Sequence, residues 1–207
     1  MSNCGCSIEV ESREQSRVLI VLLAINAVMF VAEIVAGLLA ESTGLIADSL
    51  DMLADATVYG VGLYAVGKAM VVKVRAAFVS GYFQIGLALI VALDIARRAA
   101  FGSDPEPGFM VIVSLVALIA NVICLLLLAK HRDGEVHMRA SWIFSRNDVI
   151  ANAGVILGGL LVYSLGSRWP DLVVGLLIVT VVFRGGLSII ADARLEQEQA
   201  PTSRLSR

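Results

Sequence analysis

The chain is poor in charge. Lys, Arg, Asp and Glu make up 16% of its 207 residues, against about a quarter in a soluble domain. Two histidines and 6% aromatic residues leave little with which to hold haem or stack nucleobases. A formal net charge of −2 provides no basic surface, so nucleic acid is not an expected partner. The three cysteines, Cys4, Cys6 and Cys124, are odd in number and do not make a disulfide framework. The opening segment "MSNCGCSIEVESREQSR" is polar and mixed in charge, unlike the basic-then-apolar order of a secretory signal. No nucleophile–base constellation is present, so the chain is not expected to be an enzyme, and no prosthetic group is expected. There is no internal repeat and no low-complexity segment.

Apolar residues fill the space that charge leaves. They make up 58% of the chain, and the mean hydropathy is +0.84. A helix needs about 20 apolar residues to cross a hydrocarbon core of about 30 Å. Six stretches qualify, at roughly 17–39, 44–66, 76–99, 108–130, 141–164 and 171–192. The second and fifth are the least apolar. Short polar or Gly/Pro segments separate them: "AESTG", "GKAMVVKVR", "FGSDPEPG", "HRDGEVHMRA" and "GSRWP". The predicted fold is an all-α, six-helix integral membrane bundle over residues 17–192, with tails at 1–16 and 193–207.

Lys and Arg set the orientation. Lys68, Lys73 and Arg75 lie in the second connection, and Lys130, Arg132 and Arg139 in the fourth. Arg13, Arg17, Arg194, Arg204 and Arg207 lie near the ends of the chain, with fewer cations opposite (Arg97, Arg98 and Arg168). Both termini are therefore expected in the cytosol, with the protein in the plasma (inner) membrane. Trp142 and Trp169 fall near opposite ends of the fifth span, where interfacial aromatics belong.

Carboxylates inside apolar spans are costly and mark function. Asp51 and Asp55 are four apart and share a helix face, as do Asp148 and Asn152 in the fifth span. At 1.5 Å per residue, Asp55 lies roughly 16 Å from the outer end and Asp148 roughly 11 Å from the inner end. In a core of about 30 Å those levels nearly coincide. Two antiparallel helices thus bring four oxygen-bearing side chains towards one point. Asp48 reads as an entrance or structural residue, and Glu33 and Asp94 as vestibule or snorkelling groups. Asn26, Gln84 and Asn121 read as interhelical hydrogen bonders. Arg146 lies on another helix face and nearer the cytosol than Asp148, and the spans offer almost no other base. A bound divalent cation supplies the missing charge. An empty site repels itself and takes up a proton, so metal binding releases protons.

At these residues the chain resembles the cation diffusion facilitator family, over roughly residues 15–194. "GLLAESTGLIADSLDMLADA" is similar to the family's second-helix signature and places its paired ligands on Asp51 and Asp55. "FSRNDVIANAGVILGG" aligns Asp148 with the fifth-helix aspartate, and "WPDLVVGLLIVTVVFRGGLSIIADA" resembles the sixth helix. The resemblance implies export of Zn²⁺, or of related Cd²⁺, Co²⁺, Mn²⁺ or Fe²⁺, by metal/H⁺ antiport in a homodimer. Two departures stand out. Phe144 occupies the position of the family's fifth-helix histidine, leaving an all-oxygen set in which Asn152 or Asn147 supplies the fourth ligand. The family's usual C-terminal cytosolic domain does not follow the sixth span, as in short forms of the family. The alternative function is a metal-binding membrane sensor or accessory protein that has lost transport. A channel-like leak is disfavoured by a converging carboxylate site. Cys4 and Cys6, with His131 or His137, are a candidate capture pair for a soft metal. Cys124 reads as a small packing residue.

Overall fold

The computed structural model describes residues 4–65, 70–129 and 136–199. Within them, the side chains of 4–15, 62, 65, 70, 73, 136–141, 143, 144 and 199 are not described. Cys4, Cys6, His131, His137 and the side chain of Phe144 thus lie outside what is described.

The described residues form six helices: α1 Cys4–Leu39, α2 Thr43–Ala65, α3 Met70–Phe101, α4 Pro107–Leu128, α5 Val136–Leu165 and α6 Trp169–Gln199. Four run past the expected spans: α1 begins at Cys4 inside the expected N-terminal tail, α3 and α5 begin inside expected connections, and α6 continues beyond 192. Hydropathy marks the thickness of hydrocarbon, whereas a helix satisfies its own backbone and continues into water.

Five helices are long and apolar enough to cross a membrane: all except α2. Asp48, Asp51 and Asp55 fall within the 23 residues of α2. The packing explains why this is tolerated. α2 touches every other helix, and from Thr43 to Tyr59 none of its residues is exposed. The least apolar helix is the one enclosed by the rest. Around it, Val28, Leu38, Leu93, Ile112, Leu126 and Leu177 are more than half exposed, a belt too apolar for water. The chain is a multi-pass integral membrane protein.

The turns α1–α2, α3–α4 and α5–α6 meet at one end. Glu41 adopts a left-handed backbone (φ 49°), and its carbonyl accepts from the Arg98 guanidinium. The Glu106 amide donates to the Ala40 carbonyl at 2.9 Å. Glu106 also caps α4, accepting from the amides of Gly108 and Phe109 at 3.3 and 2.7 Å. Asp171, the third residue of α6, caps a different helix. It accepts from the Thr43 amide at 2.6 Å, the Gly44 amide at 2.9 Å and the Ser42 hydroxyl at 2.7 Å. These are free donors at the start of α2.

Small residues set the close crossings. A Cβ on Gly175 would lie 2.8 Å from Thr43 Cγ2, and one on Gly186 would lie 2.9 Å from the Gly81 carbonyl. Elsewhere the buried positions follow a three-four spacing. Leu19, Leu22, Asn26, Met29, Glu33 and Ala36 form the seam of α1, and Leu45, Asp48, Met52, Asp55 and Tyr59 that of α2. Met110, Ser114, Ala117, Asn121, Cys124 and Leu128 form that of α4.

Candidate metal centre

The seams carry polar residues at the middle of the bundle. α2 supplies Asp51 and Asp55 one turn apart, and α5 supplies Asp148 from the opposite direction. One carboxylate oxygen from each lies within 4.8 Å of the others. All three are buried, at 7, 3 and 3% exposure. The level-matching of Asp55 and Asp148 along antiparallel helices thus holds in three dimensions.

Their surroundings contain almost nothing to neutralise them. Arg146 is exposed and makes no recorded ion pair. The ion pairs among the described residues join Asp94 to Arg97 and Arg98, at 2.7 and 2.5 Å. Asp94 is therefore a helix-end partner of two arginines. Two unit charges about 5 Å apart repel by roughly 3 kcal/mol at an effective dielectric of about 20. Three bare carboxylates at this spacing require a cation or protons among them.

Tyr59 is a member of the site that sequence reading missed. Its hydroxyl donates to Asp55 Oδ2 at 3.1 Å and holds one carboxylate oxygen of the cluster in place. Its four-residue spacing from Asp55 was the available signal. Asn152 is fully buried and sends its amide nitrogen to the Asp148 carbonyl at 2.8 Å. That bond orients the side chain and leaves Oδ1, one helical turn from Asp148, without a hydrogen-bond partner. Asn147 and Asp51 border a cleft of about 220 Å³ between α5 and α6, otherwise lined mainly by aliphatic side chains. A larger cleft at the turn end, lined by residues such as Asp104, Arg168 and Trp169, does not include the carboxylates.

Several neighbours differ from expectation. Glu33 is fully buried with both oxygens unpartnered, so it is not a snorkelling group. Asp48 is 1% exposed and equally unpartnered, not an ion-paired structural residue. Asn26 donates to the Leu22 carbonyl of its own helix at 2.9 Å, not across to another. Cys124 is a buried free thiol packed with Leu19, Leu22, Tyr59 and Leu128, as expected.

The family model of the cation efflux transmembrane domain matches residues 19–196. The chain belongs to this family. The cation efflux assignment agrees with the signature around Asp51 and Asp55. Among relatives, the chain is 28% identical to the zinc transporter ZitB of Pectobacterium atrosepticum, across 92% of its own length and 64% of the relative's. It is 24% identical to the metal cation efflux system protein CzcD of Cupriavidus metallidurans, over 78% and 55%. It is 22% identical to the cadmium, cobalt and zinc/H⁺–K⁺ antiporter of Bacillus subtilis, over 88% and 63%. The chain spans between 55 and 64% of the length of these three relatives.

Proposed function

We propose that the chain exports a divalent metal cation from the cytosol in exchange for protons, with Asp51, Asp55 and Asp148 as ligands and Asn152 as the fourth. One observation carries the reading. Three buried carboxylates from two helices converge within 4.8 Å, and the recorded ion pairs of the described residues lie elsewhere. A divalent cation supplies the missing positive charge, and oxygen donors suit it. Tetrahedral zinc–oxygen bonds of about 2.1 Å give oxygen–oxygen edges of about 3.4 Å, so the three side chains draw in slightly around the ion.

Protons are the natural counter-cargo. Those that quiet the empty site leave when metal enters, and metal leaves when protons return. The names of the relatives, which include metal efflux, zinc transport and antiport with H⁺, support this coupling. Zn²⁺ is the favoured cargo. The oxygen-only donor set, with Phe144 at the family's histidine position, also suits Mn²⁺, Fe²⁺, Co²⁺ and Cd²⁺. In this reading all six helices cross the plasma (inner) membrane, α2 shielded by the other five. Both termini, the segments 1–16 and 193–207, and the Lys/Arg-rich connections face the cytosol. The latched turns face outward. The lipid-facing belt and pairing of two copies complete the working unit as a homodimer.

A metal panel in an efflux-deficient host tests the reading. Expression should restore growth in Zn²⁺ or one of the related cations and lower cell metal, and Asp55→Ala should do neither. Protection against no metal, or equal protection by Asp55→Ala, would sink it.

A further inference from the structure

We propose that Glu33, Asp48 and Ser114 form a second divalent-cation site, displaced from the Asp51–Asp55–Asp148 cluster towards the latched end of the bundle. The proposal rests on the reading of the chain as a carrier of divalent cations.

The placement follows from helix register. α1 and α2 form an antiparallel hairpin about Glu41. A Cβ on Gly37 would meet Leu45 and Ile46. Further along, Met29 and Met52 share one buried cluster, and Leu22 and Tyr59 another. Glu33 and Asp48 fall at one level between these contacts. α4 runs alongside α2 in the same direction. Ala117 clusters with Met52 and Cys124 with Tyr59, and the same register, seven residues earlier on each helix, sets Met110 level with Leu45. On the buried face of α4, the residue between Met110 and Ala117 is Ser114. Three helices therefore contribute one oxygen-bearing side chain each to a single layer. An apolar layer of Met29, Met52 and Ala117 lies on one side of it, and the Leu45–Met110 layer on the other.

The chemistry of the layer is incomplete. Glu33, Asp48 and Ser114 are 0, 1 and 0% exposed. Glu33 Oε1 and Oε2, Asp48 Oδ1 and Oδ2 and Ser114 Oγ all lack a hydrogen-bond partner. Glu33 and Asp48 are both acidic, and the ion pairs among the described residues lie elsewhere. Buried polar atoms are ordinarily satisfied, and a pair of buried carboxylates without a base is a large exception. The hydroxyl is the independent sign: a fully buried serine oxygen with no hydrogen-bond partner, on the buried face of α4 at the level the register assigns to the two carboxylates. Two carboxylates and a neutral oxygen match the charge and hardness of a divalent cation.

The site is also usefully placed. Asp48 lies three residues from Asp51, about 4.5 Å along the helix axis. A cation leaving the central cluster would find its next oxygens there. Two adjacent stations weaken each other's hold and favour release.

Equilibrium dialysis of the full chain in lipid nanodiscs against ⁶⁵Zn²⁺ counts the sites. The wild type should bind two ions per chain. Glu33→Gln/Asp48→Asn should bind one, and Asp55→Asn/Asp148→Asn should also bind one. Ser114→Ala should keep two, with the second about tenfold weaker. A single wild-type ion, lost in the Asp55/Asp148 variant but kept in the Glu33/Asp48 variant, would overturn the second site and leave the carrier reading standing. A wild type that binds no ion would overturn both. If the Glu33/Asp48 variant does not fold, the wild type loaded with Mn²⁺ decides by electron paramagnetic resonance. Dipolar broadening at saturation is expected, and an isolated six-line spectrum overturns the proposal.

Discussion

Two aspartates of this protein are equally buried and opposite in circumstance. Asp171, at the turn end, is 0% exposed and accepts three hydrogen bonds from the start of α2. Asp148, at the middle of the bundle, is 3% exposed, has one oxygen without a partner and faces two further carboxylates. The same side chain is a structural tie in one place and an unbalanced charge in the other. Burial alone does not mark a functional carboxylate in a membrane bundle. Burial among like charges, with no base to balance them, does.

The largest expected difference is in transport. Asp148→Ala, Asp51→Ala or Asp55→Ala should each reduce metal flux by more than the roughly 10–100-fold typical of outer-shell groups. Radiotracer uptake into proteoliposomes measures this. Asp171→Ala should retain flux per folded molecule. An inactive, well-folded Asp171 variant would break the contrast.

Stability should move the other way. Asp171→Asn removes a charged acceptor from buried donors and should cost about 1–3 kcal/mol. Asp148→Asn relieves like-charge repulsion in low dielectric, so without metal it should melt at the same temperature as wild type or higher. Thermal unfolding in detergent gives both signs. A lower melting temperature for Asp148→Asn would mean that the central aspartate is tied into the fold after all.

Smaller effects sharpen the same line. Gly175→Ala pushes a methyl against Thr43 at the tied end and should cost about 1–3 kcal/mol through overpacking. Glu106→Ala removes the cap of α4 and should cost about 1 kcal/mol. Neither should change metal selectivity in a competition uptake assay. A selectivity shift in either would show that the latched end shapes the metal site.

Much of this arrangement was legible in the sequence. Asp51, Asp55 and Asp148 could be placed together because rise per residue and antiparallel direction fix depth along a helix. The bundle was legible because hydrocarbon thickness sets helix length. What failed was rotational and local. Glu33 and Asp48 were read by depth alone, as groups near an end, whereas their seam positions bury them completely. The three-four spacing that joins Glu33 to Met29 and Ala36, and Asp48 to Leu45 and Met52, was the unused signal. Asp171 was seen only as part of a sixth-helix resemblance. Its partners lie more than a hundred residues away, and no local pattern announces such a cap. The limits of α1, α3, α5 and α6 were missed because a helix leaving hydrocarbon carries no hydropathy mark.

The central claim is that three carboxylates exchange a metal ion for protons. Proteoliposomes loaded with a pH-sensitive dye test it most directly. Addition of Zn²⁺ should drive a saturable proton flux opposite to metal movement, and Asp148→Ala should abolish both. Metal uptake that neither saturates nor moves protons, or an Asp148→Ala protein with wild-type flux, would contradict it.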